Sequence, residues 1–162
     1  MKFLRSFKYA FMGIVNAVIN ERNFRIHIVA ATFVAIFARL YGVTGNQAAI
    51  LSMMVCLVMS AELLNTAVEE MVNIISPEKC RSAKIAKDSA AGAVLTFAIG
   101  ATVVAVFIFS DFEKLRTAFS MLRLNILWFV FYVCACFLFV FTLPPNLKKA
   151  EKAEKPYKTD KD

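Results

Sequence analysis

The 162-residue chain has one histidine and no Cys-x-x-Cys pair among its four cysteines. That argues against a structural zinc site, which draws on clustered Cys and His ligands. A disulfide framework is not expected either. Cys56, Cys134 and Cys136 lie inside apolar stretches and Cys80 stands alone in a polar connection; Cys134 and Cys136, two apart, would point to different faces of a helix. Charged residues are only 19% of the chain, alongside sixteen Phe, which excludes the disordered class, whose segments hold too little apolar surface to offset their ordering entropy. Met1 opens onto Lys2, Arg5 and Lys8 without an immediate apolar run or a small-residue cleavage site, so no secretory signal peptide is expected. The familiar nucleotide signatures GxxxxGK[ST], GxGxxG, HRD and DFG are missing as well.

Apolar residues are abundant, at 59%, against roughly 45–50% for an ordinary soluble domain. The mean hydropathy is +0.62. A chain this short has too little interior to hide that much hydrocarbon, so lipid is the expected solvent for the excess. The net charge of +7 flanks the apolar runs, which reads as affinity for an anionic leaflet and not for nucleic acid.

Residues 2–27 alternate basic, aromatic and small side chains. Phe3, Phe7, Ala10, Phe11 and Ile14 fall on one helical stripe while Lys2, Arg5 and Tyr9 fall off it, as expected of a helix lying in the membrane interface. Four apolar segments follow, near 28–43, 47–72, 89–109 and 126–143. Roughly 20 residues cross a bilayer core, so the second and third suffice alone, the fourth is slightly short and the first needs its flanks. A turn is expected over Tyr41–Asn46, a polar connection after Ser76-Pro77, and a mixed-charge loop with a short amphipathic helix over 110–125. Everything after Pro144-Pro145 reads as a Lys/Glu-rich disordered tail over 144–162.

Lys and Arg number five in 2–27, four in 76–88 and six in the tail, against three in 110–125 and none in 42–46. Four crossings put fifteen basic residues on one side and three on the other. The positive-inside rule then makes both termini and the 76–88 connection cytoplasmic, and 110–125 an extracytoplasmic loop.

Carboxylates within an apolar run carry the most information, because an ionised group in hydrocarbon costs several kcal/mol unless it is paired, faces protein or is functional. On a helix turning about 100° per residue, Glu62, Asn65, Glu69 and Asn73 fall within about 80° of arc, near the cytoplasmic end of the second span; Glu70 points away. Such a stripe either glues helices together through Arg25, Lys84 or Lys87, or carries chemistry. Two further polar elements share its depth. Glu21 to Arg25 precede the first span, and Lys87-Asp88 open the third, where they also fit a plain helix start. Two or three carboxylates at a water–lipid boundary can hold Mg²⁺, which favours oxygen ligands and bridges to phosphates. A lysine can neutralise phosphate as a point charge, and a remaining carboxylate can take the proton from an attacking hydroxyl.

These residues resemble a known family. Glu62-Leu-Leu-Asn65-Thr-Ala-Val-Glu69-x-x-Val-Asn73 and Ala86-Lys87-Asp88-x-Ala-Ala-x-Ala-Val look like the signature of the small bacterial diacylglycerol kinase/undecaprenol kinase family. Arg5-Ser-Phe-x-Tyr-Ala-x-x-Gly13 and Glu21-Arg-Asn-Phe-Arg-Ile-His27 match its amino-terminal pattern. The resemblance covers about residues 2–109. It implies an all-α integral membrane protein of the inner membrane, with an amino-terminal surface helix and three core transmembrane helices (1–109); the apolar segment 126–143, outside that core, is expected as a fourth, peripheral helix. The resemblance further implies a homotrimer with active sites between subunits, and ATP with Mg²⁺ as the phosphate-donor pair.

Carried over by position, Glu62 matches the family's general base, Asn65 an essential polar residue, and Glu21 and Glu69 its metal-binding carboxylates. Lys87 and Asp88 match a nucleotide-site pair. Lys2, Tyr9 and the Glu78-Lys79-Cys80 stretch, with Glu21 and Glu69, occupy nucleotide-contacting positions. Asn23, Phe24, Arg25, Ile26 and His27, with Glu62, match the lipid-substrate stretch. The chain departs from the family in having Asn73 where Asp is usual, and in the segment after residue 109. The implied reaction is phosphorylation of a membrane lipid alcohol. Undecaprenol is favoured, because 21–27 looks more like that branch, and diacylglycerol is the alternative. Outside kinases, a transporter or an inert scaffold would also carry intramembrane carboxylates; against transport, the acids cluster at one end and no inverted repeat is apparent.

Overall fold

The computed structural model describes residues 2–76 and 80–142, leaving out the Lys2 side chain. Among the described residues all regular structure is helical: α1 (Lys2–Asn20), α2 (Arg22–Tyr41), α3 (Gly45–Ile75), α4 (Arg81–Ile108), α5 (Phe112–Leu124) and α6 (Ile126–Thr142). Three of these, α2, α3 and α4, are long and apolar enough to cross a membrane. The pair α5–α6, bent by 85°, passes the same test only when taken together. The fold class is thus the expected all-α membrane architecture. Glu78, Lys79, the end of the 126–143 segment and the 144–162 tail lie outside the described residues.

The boundaries follow from local chemistry. Gly42 ends α2 at φ 73°, a left-handed conformation open to glycine at little cost. Thr44 and Gln47 then start α3 with a reciprocal capping box. Asp111 caps α5 through the amides of Glu113 and Lys114. Where the sequence suggests one amphipathic stretch over 2–27, the chain breaks at Glu21 (φ −105°, ψ 111°) and restarts, so that 22–27 open the first span. The cause lies in the side chain of Arg25. Its Nη1 donates to the carbonyls of Val18 and Ile19 at 3.1 and 2.8 Å, the oxygens that amides 22 and 23 would have bound had α1 continued.

α3 packs along α4, and α2 packs on α3 with α5 and α6 against its other side. The buried apolar set is small, including Phe24, Tyr41, Leu51, Val58 and Val94, while large side chains such as Leu95, Phe107 and Leu127 are exposed. Only 6% of the apolar window of α4 is buried. A soluble protein would not tolerate this; in a bilayer, lipid or another subunit covers such faces.

At 1.5 Å per residue the 31 residues of α3 run to about 46 Å, well beyond a hydrocarbon core of about 30 Å. About 20 residues counted from Gly45 end near Leu64, so the polar stripe begins where hydrocarbon gives way to headgroups. The opposite end is closed by aromatic rings: Phe37 and Tyr41 of α2 meet Phe109 at 5.0 Å, and Phe37 meets Phe119 of α5 at 5.8 Å.

Candidate active site

The joint between α1 and α2, the last turns of α3, the first turns of α4 and the end of α6 gather at one end of the bundle. Glu62 is the centre of this end. It is only 3% exposed, and the Asn23 side chain and the carboxylates of Glu21 and Glu69 are near enough to act on its charge. Burial of a carboxyl group among two others is unfavourable for three simultaneous negative charges, so the cluster is built to receive a proton, a cation or both.

Asn65 lies one turn beyond Glu62 and is also buried. Its Nδ2 donates to Glu69 Oε1 at 3.2 Å, while its Oδ1 is buried without a hydrogen-bond partner among the described residues. An orphaned buried oxygen beside a carboxylate is a vacant acceptor, and leaving it so costs roughly 1–3 kcal/mol. Farther along the stripe Asn73 is exposed and accepts from Lys87 Nζ at 2.7 Å, tying the end of α3 to the start of α4. Asp88 is exposed on the next position, and Glu70 is exposed off the stripe.

Around Glu62, then, the α1–α2 joint brings Glu21, and α3 brings Glu69 with Asn65 bonded to it. Their oxygens are hard donors of the kind Mg²⁺ takes. Among the described residues no group of three His, Cys, Asp or Glu side chains is arranged to hold a metal ion by itself.

The 23–27 stretch, expected to contact substrate, divides in two. Phe24 and Arg25 are interior residues, 2% and 1% exposed, whereas Asn23 and Ile26 are exposed and His27 is half-buried. Ile26 and His27 line one mouth of an apolar cavity of about 410 Å³ between α2, α3 and α4, walled by Ala30, Val58 and Ala101. Tyr9 is exposed on α1. Cys80 caps α4, its Sγ accepting from Ala83 N at 3.4 Å and lying 3.4 Å from Ser76 Oγ. These two contacts lower its thiol pKa, the Ser76 hydroxyl most and the Ala83 amide next. Glu78, Lys79 and the Lys2 side chain lie outside the described residues. The carbonyl-bound state of Arg25 is not legible in the sequence; its advance signal is an arginine one turn into the helix that carries the first span.

The prokaryotic diacylglycerol kinase family profile matches residues 8–109, which takes in most of α1 and all of α2 to α4 and leaves α5 and α6 outside. A diacylglycerol kinase of Synechocystis sp. is 45% identical over 102 residues, 62% of this chain and 58% of that protein. The undecaprenol kinase of Bacillus subtilis is 38% identical over 108 residues, 67% of this chain and 88% of its own. A diacylglycerol kinase of Sinorhizobium sp. is 31% identical over 97 residues, 60% and 71% of the two chains. The aligned stretch thus spans little more than half of the Synechocystis protein.

Proposed function

The chain belongs to the prokaryotic diacylglycerol kinase family, and from that premise we propose that it is a lipid kinase moving the γ-phosphate of ATP onto the hydroxyl of a membrane lipid alcohol. The observation that carries this reading is the buried Glu62, with Asn23, Glu21 and Glu69 close enough to act on its charge. In the proposed reaction the acceptor hydroxyl reaches Glu62 from the lipid side, and Glu62 takes its proton as the oxygen attacks phosphorus. Asn23 orients the carboxylate for that transfer. Glu21, Glu69 and Asn65 Oδ1 would hold Mg²⁺, which when bound neutralises negative charge on the nucleotide phosphates. Lys87, kept near the stripe by Asn73, adds a point charge for the phosphates, with Asp88, Tyr9 and the 78–80 stretch as further nucleotide contacts.

Undecaprenol is the favoured acceptor. The Bacillus subtilis relative named undecaprenol kinase aligns over 88% of its length, and the cavity beside His27 is almost wholly apolar, as a prenyl chain requires. Diacylglycerol is the alternative, supported by the names of the other two relatives. The basic asymmetry supports an inner-membrane protein with both termini in the cytoplasm, so that ATP meets the site from that side. The exposed apolar surface of α4 is open to cover by lipid or another subunit, and assembly into three subunits is carried over from the family resemblance.

The test is transfer of radiolabelled phosphate from ATP, with Mg²⁺, to undecaprenol and diacylglycerol offered together to the purified protein, with Glu62→Gln alongside. The reading expects labelled undecaprenyl phosphate in excess. It expects a loss of about 10²–10⁴-fold in the variant, the range set by a general base. Equal labelling by both proteins removes Glu62 from the mechanism; none by either overturns the kinase reading.

A further inference from the structure

Arg25 is the largest fully buried side chain among the described residues, and the acceptors of its guanidinium are main-chain carbonyls. Besides Val18 and Ile19 at the end of α1, it donates through Nε to Val140 O of α6 at 3.3 Å. One turn earlier on α2, the Arg22 guanidinium stacks over the Phe141 ring at 4.5 Å. Two cations three residues apart thus meet residues 140 and 141, in the last described turn of α6, where α6 has no basic residue of its own. A buried charge that lost these carbonyls would be left uncompensated.

We propose that α6, outside the region shared with the family, is a positioning element of the candidate active site: it braces the one-residue joint at Glu21. The joint has Arg22 and Arg25 on either side of Asn23. Arg25 N also binds Glu21 O at 3.3 Å, and the Asn23 side chain reaches Glu62. One guanidinium therefore holds the last turn of α1 and the last turn of α6 together, with Glu21 and Asn23 on the backbone between its contacts. Farther along, Tyr132 of α6 ties to α2, its OH donating to Val29 O at 3.3 Å. The proposal rests on the lipid-kinase reading only for what Glu21 and Asn23 do; that α6 orders the joint stands on the contacts alone.

The experiment uses the full chain in lipid nanodiscs and compares Phe141→Ala, Arg25→Met, Arg25→Lys and Trp128→Ala. Trp128 lies at the other end of α6 and is 74% exposed, so its variant removes a comparable ring without touching the joint. Amide hydrogen exchange over residues 17–25 should quicken about tenfold or more in Phe141→Ala and Arg25→Met. It should recover in part in Arg25→Lys and stay unchanged in Trp128→Ala. The Mg²⁺ concentration for half-maximal phosphate transfer should rise in the same order. Unchanged exchange at the joint in Phe141→Ala and Arg25→Met, or equal quickening in Trp128→Ala, overturns the brace. Absence of phosphate transfer by the unmodified chain overturns the kinase reading instead, and the exchange data still decide the brace.

Discussion

Asn65 gives its amide hydrogen to Glu69 Oε1 at 3.2 Å and keeps a buried Oδ1 with nothing to accept from among the described residues. Within hydrocarbon-facing protein such an oxygen is a standing cost, and costs of this kind are retained where a site needs them. The same side chain orients a carboxylate and offers a second oxygen beside it, an arrangement that packing alone does not call for.

Replacing Asn65 by Leu separates stability from function. The orphaned oxygen disappears, and Glu69, only half-buried, can take water in place of its lost donor. Thermal unfolding in detergent should therefore shift by no more than about 1 kcal/mol in either direction. Phosphate transfer should fall roughly 10–100-fold, the loss expected for one charge-linked contact. A variant that unfolds outright would mean that Asn65 is structural.

Glu21 and Glu69 reach the site from different elements, the α1–α2 joint and α3. On the proposed assignment they share one ion, so Glu21→Gln and Glu69→Gln should each raise the Mg²⁺ concentration for half-maximal activity about tenfold or more. The double variant should cost much less than the product of the two, because ligands of one ion do not act independently. Titrations of activity against Mg²⁺ for the four proteins check this, and independent, multiplying effects would place the two carboxylates at separate sites.

Much of this end of the molecule is legible in the sequence because helical geometry is local. Glu62, Asn65, Glu69 and Asn73 share a face by spacing alone, and the turn at 42–44 shows itself through Gly42. The break at Glu21 is different. No glycine or proline stands between Ile14 and Tyr41, and the periodicity runs on across it; what stops α1 is Arg25, whose third acceptor is the carbonyl of a residue 115 positions away. Main-chain acceptors leave no mark in side-chain identity. The apolar run of α6 likewise says that it crosses or lies in lipid, and nothing of what its last carbonyls bind.

At the far end of the bundle the Tyr41 hydroxyl accepts from Asp111 N at 2.9 Å, anchoring the start of α5 to the end of α2. Tyr41→Phe keeps the ring contacts with Phe37 and Phe109 and removes only that acceptor. Stability should drop by about 0.5–1.5 kcal/mol, the net worth of one hydrogen bond, with phosphate transfer unchanged, since this end is a whole span away from Glu62. Thermal melts paired with an activity assay separate the two effects; a fall in activity without a fall in stability would count against the distance argument.

Cys80 is the exposed cysteine outside the spans, and its environment favours the thiolate. The Ser76 hydroxyl and the Ala83 amide both lower its pKa below the ordinary thiol value, so more of it is ionised near neutral pH, and the thiolate is the reacting form. A membrane-impermeant maleimide should label Cys80 faster than an unperturbed thiol at pH 7, with the midpoint of its rate–pH curve shifted downward. Ser76→Ala should move that midpoint back up. Labelling should occur only from the side bearing Arg81, Lys84 and Lys87, the cytoplasmic side by the positive-inside rule. If the 78–80 stretch contacts nucleotide, ATP with Mg²⁺ should slow it. Reaction from the opposite face would reverse the assigned topology, and with it the side from which ATP reaches Glu62.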